Sequence, residues 1–263
     1  MSDRNYTCVT NAMQTLKKPS IKVGDIFTTN QGCKFKVIQY VNSKNILIEF
    51  DDKFKFQKTT RQNEISKGNI RNPYFATVQG IGYIGDGRFS VKENGRDTKA
   101  YTIWSHMFSR CYDERQWLKR PTYKGCTVCE EWHNFQNFAE WYESQPYNQL
   151  NYQIEKDILI DGNKIYSPQT CVLAPLEINT LFTDSAANRG DYPTGVNFHS
   201  KIKKFRAYLS VDKKQVHLGY FETVEQASQA YQAAKKANIK RMALKWQDRI
   251  DARLFNALMA KTI

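Results

Sequence analysis

QIEKDILIDGNKIYSPQTCVLAPLEIN, residues 153–179, is the stretch around which the rest of the chain arranges itself. It reads as a short strand from Ile154 to Ile160, a turn at Gly162-Asn163, a second strand edge, and a short helix ending near Asn179. The charged triplet Glu155-Lys156-Asp157 interrupts the first strand where apolar alternation is expected. Such a triplet is either the solvent face of the strand or a place where carboxylates gather for metal and water chemistry. The segment alone leaves both readings open.

Upstream, residues 98–147 carry helical periodicity. Tyr101, Trp104, Met107 and Phe108 recur at a 3.6-residue spacing and Arg110 follows; after a loop with Pro121 and Gly125 come Trp132, Phe135, Phe138, Ala139 and Trp141. This aromatic stripe is the pattern of a core. Before it, Gly80, Gly82 and Gly85 spell GxGxxG, but no apolar helix follows to make a dinucleotide-binding βαβ unit, so the glycines read as turns. From Val23 to Lys58 four short β-runs follow one another with turns at residues 30–32 and 42–44, the pattern of a small SH3-like β-barrel or a curled sheet. Lys34, Lys36, Lys53, Lys55, Lys58 and Arg61 lie among its phenylalanines, suiting either a nucleic-acid-facing sheet or an ordinary basic surface. Residues 1–20 are polar, with one frayed helical turn at most.

Downstream, the polar run Thr183–Arg189 reads as a linker. Strands are expected at Thr194–Phe198, Phe205–Val211 and Gln215–Tyr220, then a helix from Thr223 to Asn238 with Thr223 as its cap, and an amphipathic helix in the tail from Gln247. Residues 192–246 hold 11 Lys or Arg against three Asp or Glu, a net of +8. A three-stranded sheet with a basic outer face can lie in the major groove of DNA.

The whole chain has a formal charge of +13 in 263 residues, which points to an anionic partner, with double-stranded DNA the first choice. No apolar run of about 20 residues and no leader-like apolar segment is present, so no membrane partner is expected and the cytoplasm, or a host's cytoplasm, is the expected location. Six cysteines in such a chain are expected to be free thiols or metal ligands. No small-molecule cofactor is expected.

Two resemblances give these patterns a direction. Tyr192, Gly195-Val196, Phe205, Ala207, Leu218-Gly219, Phe221, Thr223, Glu225, Ala227, Ala230-Tyr231 and Ala234 together resemble the ethylene-response-factor (APETALA-type) DNA-binding domain. The resemblance implies duplex DNA binding through the sheet, with Lys201, Lys204, Arg206, Tyr208 and His217 facing the DNA. Residues 101–182 look like the phage HNH (homing-type) endonuclease group, on the strength of Trp104, Met107, Arg110-Cys111-Tyr112, Tyr123, Val128, Trp132, Phe135, Phe138, Asp157, Gly162-Asn163, Tyr166-Ser167-Pro168, Cys171 and Asn179. That similarity implies a ββα-metal hairpin using Mg²⁺ or Mn²⁺. Glu155 falls on the carboxylate position, Asn179 on the helix ligand, and Asp157 becomes a ligand if the register slips. Lys156 falls where the general-base His belongs and Thr170-Cys171 where the hairpin Asn belongs, while Arg110 is a candidate phosphate contact. A lysine at its usual pKa of about 10.4 is a poor base. His106 and His133 lie on the preceding helices. Cys126-x-x-Cys129, with Cys111 and Cys171, has the makings of a structural zinc site.

The expected architecture is therefore α+β. It comprises a small β domain over 1–90, an HNH-like ββα-metal domain over 91–183, a linker over 184–190, and a three-stranded sheet with helices over 191–263. The expected activity is metal-dependent hydrolysis of DNA at a site gripped by the C-terminal domain. The alternative is a catalytically degenerate relative that regulates or interferes by binding DNA.

Overall fold

The computed structural model describes residues 20–182 and 191–261. The expected linker at 184–190 and the polar N-terminal residues 1–19 lie outside the described residues. The protein is mixed α+β, and its chain divides into two compact units between Phe75 and Ala76.

In the first unit, β1 (Ile26–Thr28), β2 (Lys34–Asn42), β3 (Asn45–Phe50) and β4 (Gln57–Thr60) pair in sequence order as an antiparallel meander. Alternation explains the sheet: Phe35, Val37, Ile46, Ile48 and Phe50 point to one side and are fully buried. Of the two expected forms, barrel or curled sheet, the sheet stays open and the barrel is not formed. β1 and β4 are three and four residues long and remain the two edges, while Ile65 of the short helix α1 (Gln62–Lys67) and Ile70 fill the core from one face.

The second unit opens with residues 76–90, which include the glycine-rich run. Val78, Ile81, Ile84 and Phe89 pack against the aromatic core. Gly82 owes its place to packing, because a Cβ there would stand 2.9 Å from the Trp104 ring. The hairpin β5 (Lys92–Glu93) and β6 (Arg96–Asp97) leads into α2 (Lys99–Tyr112), whose N-cap Thr98 accepts from the Tyr101 amide. Then come α3 (Glu114–Lys119), β7 (Thr127–Val128) and α4 (Phe135–Ser144), capped by Asn134. Trp104, Phe108, Trp132, Phe135 and Phe138 are fully buried, so the aromatic stripe is core, as the periodicity predicts.

The opening stretch folds as β8 (Gln153–Glu155), β9 (Ile165–Tyr166), β10 (Val172–Ala174) and α5 (Leu176–Phe182). β8 pairs antiparallel with β10 and β9 runs parallel to β7, so two strands and a helix follow in ββα order. The C-terminal sheet is β11 (Val196–His199), β12 (Lys204–Val211) and β13 (Lys214–Phe221), with Thr223 capping α6 (Val224–Trp246) and Asp251 capping α7 (Ala252–Ala260). Helix α6 runs on to Trp246, well past the expected end at Asn238. Its second half joins α7 in a core with Ile158, Val172, Ala174 and Ile178. None of the described helices is long and apolar enough to cross a membrane.

Candidate active site and nucleic-acid face

β8 is shorter than the apolar run suggests. It stops at Glu155, and the chain then bends, because Lys156 turns inward. Only 6% of Lys156 is exposed. Its ammonium donates to Asp157 Oδ2 at 3.0 Å and to the Asn163 carbonyl at 3.1 Å, and lies 5.9 Å from the centre of the Tyr166 ring. Asn163 returns the tie, its side-chain amide donating to the Lys156 and Ile165 carbonyls, each at 2.7 Å. The loop is thus closed by Asn163, with Thr170 adding a 2.7 Å bond to the Ile165 carbonyl. Asn163 and Thr170 thus both donate to the Ile165 carbonyl.

Glu155 is half-buried, and burial first, then the neighbouring Asp157 charge, pushes its carboxyl up to about 7, against the opposing pull of Arg110 and Lys156. Arg110 lies near the Tyr166 hydroxyl, and its guanidinium stands 5.7 Å from the centre of the Tyr123 ring. Asp157 keeps its side chain 46% exposed. Arg110, Glu155, Lys156 and Asp157 are therefore one cluster. Asn179 lies across from the same strand, donating to Gln153 Oε1 at 2.6 Å; Gln153 and Glu155 are two residues apart and share one side of β8. His106 is exposed on α2, while His133 bonds the Val128 carbonyl at 3.2 Å and packs edge-on against Phe108.

Among the described residues, no group of three or more His, Cys, Asp and Glu side chains stands close enough to hold a metal ion. Glu155 and Asp157 supply two carboxylates, a donor set that suits Mg²⁺ or Mn²⁺, which complete their shells with water and substrate phosphate. Cys111, Cys126 and Cys171 are buried free thiols and Cys129 is half-buried. Burial pushes the Cys111 and Cys171 thiols up to about 12, and Cys126 Sγ donates to the Thr122 carbonyl at 3.8 Å. Neutral buried thiols of this kind pack as small apolar side chains.

The second candidate surface is the face of β11–β13 turned away from α6. Alternation in β12 sends Ala207 and Leu209 toward the helix and Lys204, Arg206 and Tyr208 outward. Cross-strand register then sets Asn197 and Tyr220 on either side of Arg206, and His217 opposite Tyr208. Arg206 Nε donates to Asn197 Oδ1 at 3.2 Å and its guanidinium stands 5.3 Å from the centre of the Tyr208 ring. Tyr220 contacts His217 and His199, with ring centres 4.7 and 5.5 Å apart. Lys204 is paired with Glu222 at 2.6 Å, and Lys201 lies exposed in the turn before β12. Of the five expected DNA-facing residues, the sheet gathers Lys204, Arg206, Tyr208 and His217. Asn197, His199 and Tyr220 share the face unforeseen, although pairing the three expected strands in register would have found them.

In comparisons with protein-family models, curated proteins and solved structures, nothing matches this chain.

Proposed function

We propose that this chain binds double-stranded DNA through the outer face of β11–β13. The observation that carries the reading is Arg206 at the centre of that face, oriented by Asn197 and Tyr208, among the rings of His217, Tyr220 and His199. An oriented guanidinium suits bidentate contact with guanine, and the lysines around the sheet suit phosphate. Gel-shift titration of duplex DNA across salt concentrations tests it: affinity must fall as a power of salt concentration, because each phosphate contact releases counterions. Binding indifferent to salt, or no duplex binding, would overturn it.

We further propose that the β8–β10–α5 hairpin hydrolyses a phosphodiester bond with Mg²⁺ or Mn²⁺ on Glu155 and Asp157. The favouring observation is the Glu155 carboxyl, raised to about 7 next to the Arg110 guanidinium. A cation there would draw charge off the scissile phosphate. The chain's own part is to hold the carboxylates between Arg110 and the tied loop, with Arg110 placed to meet phosphate. Incubating the protein with plasmid DNA and either metal tests the reading, with Glu155→Ala/Asp157→Ala as the control expected to be inactive. Duplex binding without cleavage by the wild type would favour instead a DNA-binding regulator built on an inactive hairpin; the buried Lys156, tied to Asp157 and the Asn163 carbonyl, supports that second reading.

A further inference from the structure

Helix α6 serves two bodies at once. Its first half covers the three-stranded sheet with the buried Ala227, and its Tyr231 ring lies so close to the backbone of Gly195 that any Cβ there would collide with it. Its second half buries Ile239 and Ala243 in the core made with β10, α5 and α7. Between the two halves the helix contains no Gly and no Pro, and its central residues 233–237 are all Ala and Lys, strong helix formers. At about 1.5 Å per residue its 23 residues span about 34 Å.

One stripe of this helix is bonded in both directions. Arg241 donates to Asp212 Oδ1 at 3.1 Å, in the turn between β12 and β13. One turn further on, Lys245 and the Trp246 indole donate to the same Glu177 oxygen on α5, at 2.7 and 3.2 Å. These ion pairs are partly exposed and weak alone, so the buried apolar contacts at both ends hold the helix in place. The bonds add a fixed rotation about its axis.

We propose that α6 is a rigid arm that holds the three-stranded sheet at one offset and rotation from the Glu155 hairpin. DNA gripped by the sheet then meets the hairpin at one defined step along the duplex. The statement about DNA rests on the binding function proposed above, whereas the rigidity does not.

The experiment measures the distance between spin labels on noncanonical residues replacing the exposed Leu118 of α3 and Gln215 of β13, by pulsed electron resonance. Wild type is expected to give one narrow distribution, unchanged by duplex DNA. A four-residue helical insertion after Lys236 translates the sheet by about 6 Å along the axis and turns it by about 40°. It is expected to give a new narrow distance, and on DNA to move the hairpin's footprint by about two base pairs relative to the sheet's. Should the insertion fail to fold, Lys236→Gly/Ala237→Gly serves instead, and it is expected to broaden the distribution. A broad wild-type distribution, or a glycine pair that leaves a narrow one unchanged, overturns the arm. A narrow distribution in a protein that binds no duplex overturns only the DNA reading. DNA binding with an unshifted footprint after the insertion overturns the fixed offset.

Discussion

Replacing Glu155 by glutamine removes the one carboxyl in the hairpin that is pushed far from its ordinary value. Its pKa rises from 4.5 to about 7, so the folded state holds the proton more tightly than the unfolded chain does. The stability this contributes is fully present below pH 4.5 and is lost as pH rises through about 7. Linkage between those two values amounts to roughly 2 to 3 kcal/mol from pH 5 to pH 8, at about 1.36 kcal/mol per pH unit and allowing for incomplete titration at the two ends. The glutamine side chain has no such titration. Urea unfolding of wild type and Glu155→Gln at both pH values is expected to show the wild type losing roughly 2 to 3 kcal/mol relative to the mutant on going from pH 5 to pH 8. Equal pH dependence of the two proteins, or a difference of opposite sign, would refute the placement of Glu155 in a desolvated site beside Asp157.

Three further substitutions probe the rest of the molecule. Lys156→Met removes an ammonium that ties Asp157 and the Asn163 carbonyl, and is expected to lower stability by about 2 kcal/mol in urea unfolding, below the value for a fully buried pair because Asp157 is 46% exposed. Gly195→Ala puts a methyl group into the Tyr231 ring and 2.8 Å from the Tyr208 carbonyl oxygen at a φ of +76°; a loss of about 2 kcal/mol is expected, with a fall in thermal midpoint to match. Arg206→Ala is expected to weaken duplex binding at least ~10-fold at fixed salt without changing the thermal midpoint, and an unchanged gel-shift midpoint would remove Arg206 from the interface.

Much of this architecture is legible in the chain because it rests on local periodicity. The aromatic spacing of α2 and α4 places Trp104 and Phe135 in the core, and the alternation of β12 separates Ala207 and Leu209 from Arg206 and Tyr208. The departures occur where a distant partner overrides a local signal. Ile158 extends an apparent strand, yet it is buried against α6 and α7 after the chain has bent. Asn238 looks like a helix stop, but its side chain accepts from Arg241 within a continuing helix whose far end is buried by α7. The N-terminal runs suggest a barrel or a curled sheet, and strands of three and four residues at the edges are too short to close the barrel. At the hairpin, sequence position alone aligned Lys156 with a base; only the fold shows that Asn163 and Asp157 occupy its ammonium.

The Lys156 ammonium ties two acceptors, Asp157 and the Asn163 carbonyl. The loop around Gly162 depends on that tie, since Asn163 is the residue that closes it. Lys156 therefore does in this hairpin what a structural cation does: it fixes the turn and holds Asp157 beside Glu155. The resulting like charge helps raise the Glu155 carboxyl toward neutrality. The Lys156 ammonium and the Arg110 guanidinium pull the other way, so burial and the Asp157 charge together outweigh them.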